Sequence, residues 1–296
     1  MPPIFVVLYH PDTYAYVQTL PIAKRVSDLA AAIGRAAALS KMSPGELKGI
    51  FLAPEYYFTK PRTGISSSSE PETRQLDYGT VLELRKTLLQ MSDENPNLFI
   101  VPGTMAWAKD LGVSKKTIVQ DGLKEKRIAR YAERALAIGG PFDKGAVEKA
   151  KQIQNAQYTA KNTAEVLFGG DLVFRYSKLA DFHEVLGFDG SVVHIPGREV
   201  GRFSVAGYDF GISICADQNW ESLDKGVPLQ MTKDPVDFHI LLSAFIEPKP
   251  STVNLKSNGW LLSCSSEKSC TMVIGPKGPK PLMVLTSDLS NTVVML

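Results

Sequence analysis

Three residues that could act together in catalysis each follow a short apolar stretch of the chain. Glu55 lies in "FLAPEYYF", Lys178 in "FRYSKLADF" and Cys215 in "GISICADQNW". Taken alone, a glutamate or a lysine after a strand is usually exposed to solvent, and a free cysteine is usually buried and inert. A catalytic interpretation therefore depends on the three residues meeting at one place.

Together, the three residues would supply what an acyl transfer needs. A cysteine attacks as the thiolate, and a nearby ammonium such as that of Lys178 would favour that form. Glu55 could take the thiol proton and later return it to a leaving amine. Lys178 could also stabilise the negative oxygen of a tetrahedral intermediate, with the backbone N–H of Ala216 as a second donor.

The same residues carry a resemblance to a known family. Glu55, Lys178 and Cys215 occur in the order and context found in the nitrilase superfamily, the carbon–nitrogen hydrolases, which this sequence resembles over nearly its whole length. The resemblance implies a four-layer αββα sandwich and a Glu-Lys-Cys triad. It implies hydrolysis of a non-peptide C–N bond of a small-molecule amide, carbamoyl compound or nitrile through a cysteine thioester. It further implies no metal, no organic cofactor, and a homodimer or larger homo-oligomer.

Several positions depart from the pattern of that family. Asp217 stands two residues after the cysteine, as expected, but no proline follows in "NWES", and Trp220 instead resembles the carbamoylase-like branch. Glu184 is the nearest candidate for a second glutamate after the lysine. Lys268 replaces the usual glycine before Ser269. These departures leave the substrate open, and they support an alternative hypothesis: a catalytically silent member that serves as a binding or scaffold protein.

Aromatic residues near the three positions predict a substrate pocket. If the geometry of the family holds, four residues would surround the nucleophile: Tyr56, Tyr57, Trp220 and Phe245. Aromatic walls of this kind suit a small, partly apolar acyl group whose orientation is fixed by polar groups. A cysteine protease would instead need a histidine partner, and none of the four histidines lies in a recognisable context for that role.

Composition and charge limit the possible classes of protein. The chain has 296 residues, of which 44% are hydrophobic and 22% charged, as in a globular protein with a sizeable core. A net charge of +2 favours neither nucleic acid nor an anionic membrane as a partner. We find no secretory signal and no apolar stretch of the roughly 20 residues that a transmembrane helix needs. Three cysteines without a disulfide or metal spacing fit a reducing compartment, so we expect a cytoplasmic protein.

The elements that would position the three residues follow from the hydrophobic pattern. Helical spacing predicts helices at 20–39 and 72–90, and a Lys-, Ala- and Glu-rich segment predicts an extra helical insertion at 109–157. Glycine turns predict two hairpins, at 164–176 and 201–215.

The remaining strands complete an α/β chain. Short apolar runs predict strands at 3–9, 49–54, 98–103, 236–243, 270–278 and 280–289. We expect parallel crossovers to dominate the first half and antiparallel hairpins the second. Without repeats or low-complexity linkers, the simplest organisation is a single domain over residues 1–296.

Overall fold

The structure is a computed structural model, and two packed β-sheets form its centre. It describes residues 3–13, 17–40, 46–61, 75–110, 158–179, 192–194, 197, 201–219, 234–281, 283–284 and 291–296. Of the expectations above, the helical content of residues 111–157 and the placement of Glu184 and Trp220 lie outside these residues.

The first sheet carries the strands that precede Glu55 and Lys178. The strands are β1 Phe5–Tyr9, β2 Gly49–Ala53, β3 Leu76–Asp77, β4 Leu98–Pro102, β5 Thr104–Asp110, β6 Tyr158–Phe168, β7 Asp171–Ser177, β8 Val192–His194, β15 Met283–Val284 and β16 Asn291–Met295. Their order in the sheet is β15-β16-β1-β2-β4-β6-β5-β3, and β7 and β8 also pair with β6. Since β1, β2 and β4 are parallel, their carboxyl ends lie at one edge.

The second sheet carries the strand that precedes Cys215. Its order is β14-β13-β12-β11-β10-β9. The strands are β9 Gly201–Val205, β10 Tyr208–Ile214, β11 Val236–Ser243, β12 Leu255–Ser265, β13 Met272–Gly275 and β14 Gly278–Lys280. The central strands β10, β11 and β12 are parallel. The thiol of Cys264, at the end of β12, donates to the carbonyl oxygens of Tyr9 and Leu52, so the carboxyl ends of both sheets lie on the same side.

The two sheets bury one hydrophobic core between them. Alternate residues of β1, β2, β4 and β6 pack against alternate residues of β10, β11 and β12. Stacked phenylalanine rings run through this core and join both sheets: Phe99, Phe174, Phe203, Phe210 and Phe238. Apolar burial of this extent is the main favourable term that holds the sheets face to face.

Two helices cover the outer face of the first sheet. Helix α1 spans Ile22–Ser40 and buries a stripe at helical spacing that includes Leu29, Ile33 and Ala36. Helix α2 spans Tyr78–Asp93. The described residues thus supply three of the four expected layers, and the predicted two-sheet α/β architecture is confirmed. None of the helices within these ranges is both long and apolar enough to cross a membrane.

The elements at both predicted hairpins and at 236–243 are confirmed, and others need correction. Helix α2 begins at Tyr78 rather than at 72, because the Asp77 carboxylate caps it by accepting from the backbone N–H of Thr80 at 2.9 Å. The predicted insertion cannot begin at 109, since β5 continues to Asp110 and pairs with β6. Within the run 270–278 the strand β13 covers only Met272–Gly275, and a turn then leads to β14, which begins at Gly278 and pairs antiparallel with β13. The second half holds three parallel strands in addition to hairpins.

Candidate active site

The three predicted catalytic residues all lie at the carboxyl ends of strands. Glu55 comes two residues after β2, Lys178 directly after β7, and Cys215 directly after β10. Strand β7 runs antiparallel to β6, which runs antiparallel to β4, so β7 points the same way as β2 and β4. All three side chains are buried, with exposed fractions of 0%, 1% and 3% respectively.

Glu55 and Lys178 form an ion pair inside the protein. The Lys178 Nζ donates to Glu55 Oε1 at 2.8 Å. The side-chain amide of Asn162, on β6, donates to the same oxygen at 3.0 Å, and its backbone carbonyl accepts from the Lys178 N–H at 2.9 Å. Because an isolated buried charge is costly, the two opposite charges compensate each other at this buried position.

Cys215 has an unusual backbone conformation for a residue with a side chain. In β10 the inward-facing residues are Phe210, Ile212 and Ile214, so regular alternation would turn Cys215 outward. Its φ of 49° lies in the left-handed region, and the residue nevertheless belongs to the hydrophobic core between the sheets. Such strain is seldom kept without a reason and is frequent at functional sites.

A backbone contact brings Glu55 to the end of the strand beside Cys215. Ile214 pairs with Leu242 in the parallel register of β10 and β11, so Cys215 and Ser243 are the next residues at the ends of these strands. The backbone N–H of Glu55 donates to the Ser243 carbonyl oxygen at 3.4 Å. Ser243 therefore bonds to the Glu55 backbone and ends the strand that lies beside the one leading into Cys215.

Asp217 joins the segments that carry Lys178 and Cys215. Its buried carboxylate accepts from the Tyr176 hydroxyl at 2.7 Å and from the backbone N–H of Leu179 at 3.1 Å. These donors lie on either side of Lys178 in the sequence, and Asp217 lies two residues after Cys215. The ion pair and the cysteine are thus linked from two directions.

Helix α1 supports the loop that holds Glu55. The buried Arg25 guanidinium donates to the carbonyl oxygens of Tyr57, at 3.2 Å, and Thr59, at 2.7 Å, and burial lowers the pKa of Arg25 to about 10. The Tyr57 hydroxyl donates back to the Arg25 carbonyl oxygen at 2.8 Å. The prediction that Tyr57 lines the site is therefore wrong, because its ring packs with Tyr9 and Phe58 on the helix side of the sheet.

The other predicted site residues within the described ranges differ in how far they are exposed to solvent. Tyr56 is half-buried, and the Lys178 Nζ lies 5.7 Å from the centroid of its ring, a cation–π arrangement. Ala216 is buried in the turn that follows Cys215. Phe245 is 57% exposed, two residues beyond Ser243. Among the described residues, no three His, Cys, Asp or Glu side chains are grouped so that they could hold a metal ion.

Sequence reasoning missed the polar residues that organise the site. Asn162 and Tyr176 lie inside strands, and nothing in the one-dimensional pattern distinguishes them from other strand residues. Asp217 was noted only for its spacing from the cysteine. The available signal was their polarity at buried positions, since a buried polar side chain needs a partner.

Comparison with known proteins adds to this geometry. No protein-family model matches the sequence, and no curated protein matches it significantly. Among solved structures, Saccharomyces cerevisiae Nit3, a member of branch 10 of the nitrilase superfamily, aligns over 100% of this chain and 90% of its own with a TM-score of 0.52 and 13% identity. The chain has the fold of the nitrilase superfamily. A Nesterenkonia AN1 amidase of the same superfamily aligns over 99% of this chain and 90% of its own, with a TM-score of 0.50 and 13% identity.

The nitrilase fold explains why three strands so distant in sequence end together. Each sheet contributes parallel strands whose carboxyl ends lie on one side, and the two sheets pack face to face. Side chains that follow β2, β7 and β10 are thereby directed to a common region. The local contacts described above add the Glu55–Lys178 ion pair and the hydrogen bonds of Asp217 to the segment that carries Lys178.

Proposed function

We propose that this protein hydrolyses a non-peptide C–N bond of a small-molecule amide, carbamoyl compound or nitrile through a thioester on Cys215. The observation that carries the proposal is the buried Glu55–Lys178 ion pair, linked through Ser243 and Asp217 to the strained turn at Cys215. A nucleophile beside a base and a fixed cation suits acyl transfer.

For an amide, the reaction would proceed in two halves. The S–H bond of Cys215 breaks, its proton passes to Glu55, and the sulfur attacks the carbonyl carbon. Lys178 and the backbone N–H of Ala216 stabilise the negative oxygen, and the amine leaves with the proton from Glu55. Glu55 then takes a proton from water, whose hydroxide attacks the thioester carbon. The acid is released, and the proton on Glu55 returns to the Cys215 thiolate.

Simple amides are the first substrates to test, because an amidase is among the structures that share this fold. The departures at "NWES" and Lys268 keep carbamoyl compounds and nitriles in the same screen. We also infer that the protein is cytoplasmic and forms a homodimer or larger homo-oligomer. Size-exclusion chromatography with light scattering would measure its oligomeric state.

The decisive experiment measures first the reactivity of the Cys215 thiol and then the turnover of candidate substrates. Wild type, Cys215→Ala and Cys264→Ala would be treated briefly with iodoacetamide near neutral pH and weighed as intact proteins. Cys264 is the matched control, because burial raises the pKa of its thiol, which donates to two backbone carbonyls. We expect one fast label in wild type and Cys264→Ala and none in Cys215→Ala.

Turnover separates an enzyme from a silent relative. We expect wild type and Cys264→Ala to release ammonia or an amine from at least one compound in the screen, and Cys215→Ala to release none while keeping its circular dichroism spectrum. Activity retained by Cys215→Ala would remove the nucleophile assignment. Labelling confined to Cys264 or Cys270, together with no turnover, would favour the scaffold hypothesis.

A further inference from the structure

The two carboxylate oxygens of Glu55 have different surroundings. Oε1 accepts from both Lys178 Nζ and Asn162 Nδ2. Oε2 is also buried, yet it accepts no hydrogen bond from any residue that the structure describes. A buried carboxylate oxygen without a donor is costly, and a catalytic role is one of the reasons for which proteins keep such a group.

The orientation of the Asn162 amide follows from the charge of its neighbour. The Asn162 side chain is 1% exposed and lies 3.0 Å from a carboxylate oxygen. An amide oxygen at that distance would repel the carboxylate, whereas the NH₂ group donates to it, so Nδ2 must face Oε1. The backbone carbonyl of the same residue fixes the start of the Lys178 segment.

We propose that Asn162 is a positioning residue that holds Glu55 through Oε1, so that Oε2 is the oxygen that exchanges the proton with Cys215. The proposal rests on the function proposed above. Asn162 adds a donor without adding a second charge, and it comes from β6, a strand that carries none of the three catalytic candidates.

This arrangement lets Lys178 serve two roles in one cycle. When negative charge forms on the substrate oxygen, Lys178 Nζ can turn toward it while Asn162 keeps the carboxylate in place. Oε2 takes the proton from the breaking S–H bond, gives it to the leaving nitrogen, then takes one from water and returns it to the Cys215 thiolate when the acid is released. Proton and electron pairs balance at each step, and no other acid or base is needed.

The test measures the rate at which iodoacetamide labels Cys215 as a function of pH. Asn162→Leu removes the amide donor while keeping a side chain branched at the same carbon, and Asn162→Asp replaces the donor with a second acceptor. Thr163→Val is the matched control: it removes a hydroxyl on the next residue of β6 that bonds to Trp107 and Ser177. Each rate profile is recorded with intact-protein mass spectrometry.

We expect the acid limb of the labelling profile to move to higher pH by about one unit in Asn162→Leu, and further in Asn162→Asp, because losing a donor disfavours the ionised carboxylate. Thr163→Val should keep the wild-type profile. Where turnover is measurable, kcat of Asn162→Leu should fall about tenfold or more with KM little changed, as for an interaction that acts on the transition state.

An unchanged acid limb in folded Asn162→Leu overturns the proposal, as does an equal shift in Thr163→Val. If Asn162→Leu does not fold, Asn162→Ala is used with the same criteria. A crystal structure with the Cys215 sulfur nearer to Oε1 than to Oε2 would also overturn it. Because labelling needs no substrate, a protein that labels as expected but hydrolyses nothing refutes the proposed function separately.

Discussion

Glu55 and Lys178 depend on each other for stability as well as for chemistry. Both side chains are almost fully buried, and each is the charged partner of the other. We expect Lys178→Met to lower the free energy of unfolding by about 3–5 kcal/mol, because it leaves a buried carboxylate without its counter-ion. Urea denaturation followed by circular dichroism would measure the loss.

A double variant tests whether that loss comes from the unpaired charge. Glu55→Gln with Lys178→Met removes both charges of this pair, so its unfolding free energy should exceed that of Lys178→Met alone. If the double variant is less stable than Lys178→Met, the cost comes from packing and not from charge.

His239 should make the stability of the protein sensitive to acid. Burial lowers the pKa of His239 to about 3, whereas an unfolded histidine titrates near 6.5. Between these values the unfolded state binds a proton that the folded state does not. The free energy of unfolding therefore falls as pH drops from about 6.5 toward 3, by at most about 1.4 kcal/mol per pH unit from this residue.

Urea titrations from pH 7 to 4 would isolate the contribution of His239. The slope of unfolding free energy against pH is proportional to the number of protons that the unfolded state binds in excess of the folded state. We expect His239→Gln to lower that number by nearly one. Ser213→Ala keeps the imidazole and removes the hydroxyl that lies 3.0 Å from its Nε2, so the slope should persist in that variant. An unchanged slope in His239→Gln would show that the imidazole titrates normally in the folded protein.

Among single residues, the candidates for direct chemical roles could be predicted from the sequence. The residues that position those candidates could not. Glu55, Lys178 and Cys215 each follow a strand, and a glutamate, a lysine and a cysteine in that order after apolar strands form a pattern that can be read from the sequence. Asn162 stands inside a strand, and its importance comes from a carboxylate 107 positions away in the chain. The φ of Cys215 likewise depends on tertiary packing that no local pattern records.

At the scale of elements, Asp217 connects the turn after β10 to the end of β7 through hydrogen bonds. Asp217→Ala would leave two buried donors, the Tyr176 hydroxyl and the Leu179 N–H, without this acceptor. We expect a loss of about 2–4 kcal/mol in unfolding free energy and slower labelling of Cys215. Urea denaturation and the iodoacetamide assay measure the two effects.

Tyr176→Phe provides the comparison, because it removes one donor and keeps the bond to the Leu179 N–H. We expect it to cost about 1 kcal/mol and to label nearly as fast as wild type. Equal labelling rates for Asp217→Ala and wild type would show that Cys215 keeps its position without this connection.

Some elements were easier to predict than others for physical reasons. The hairpin β6–β7 was marked by Gly169 and Gly170, both at positive φ in the turn. Strand β12 was missed because it begins with the polar run "LKSN" and turns apolar only near its middle. Strand β5 ends in Lys109 and Asp110, whose charges continue into a Lys-rich segment and resemble the start of a helix.

At the scale of the whole molecule, one core belongs to both sheets. The residues that β10 and β11 bury pack against those of β2, β4 and β6, so neither sheet has a separate core on that side. We expect a single cooperative unfolding transition, as predicted for one domain. Trp107 lies in the first sheet and Trp260 in the second, so they report on the two sheets separately.

The measurement uses variants in which Trp220 is replaced and only one of these two tryptophans is retained. Their urea midpoints from fluorescence should coincide with each other and with the midpoint from circular dichroism, after correction for the effect of each substitution on stability. Two separated midpoints within one variant would contradict the single-domain organisation.

The attachment of Glu55 to both sheets has a practical consequence. Its carboxylate is held by Asn162 and Lys178 of the first sheet, and its backbone by Ser243 of the second. A chain expressed as two fragments divided before β9 would place Glu55 and Lys178 on one fragment and Cys215 on the other. Neither fragment could hold a complete site, so recovery of a reactive thiol on mixing would serve as a complementation assay for docking of the two halves.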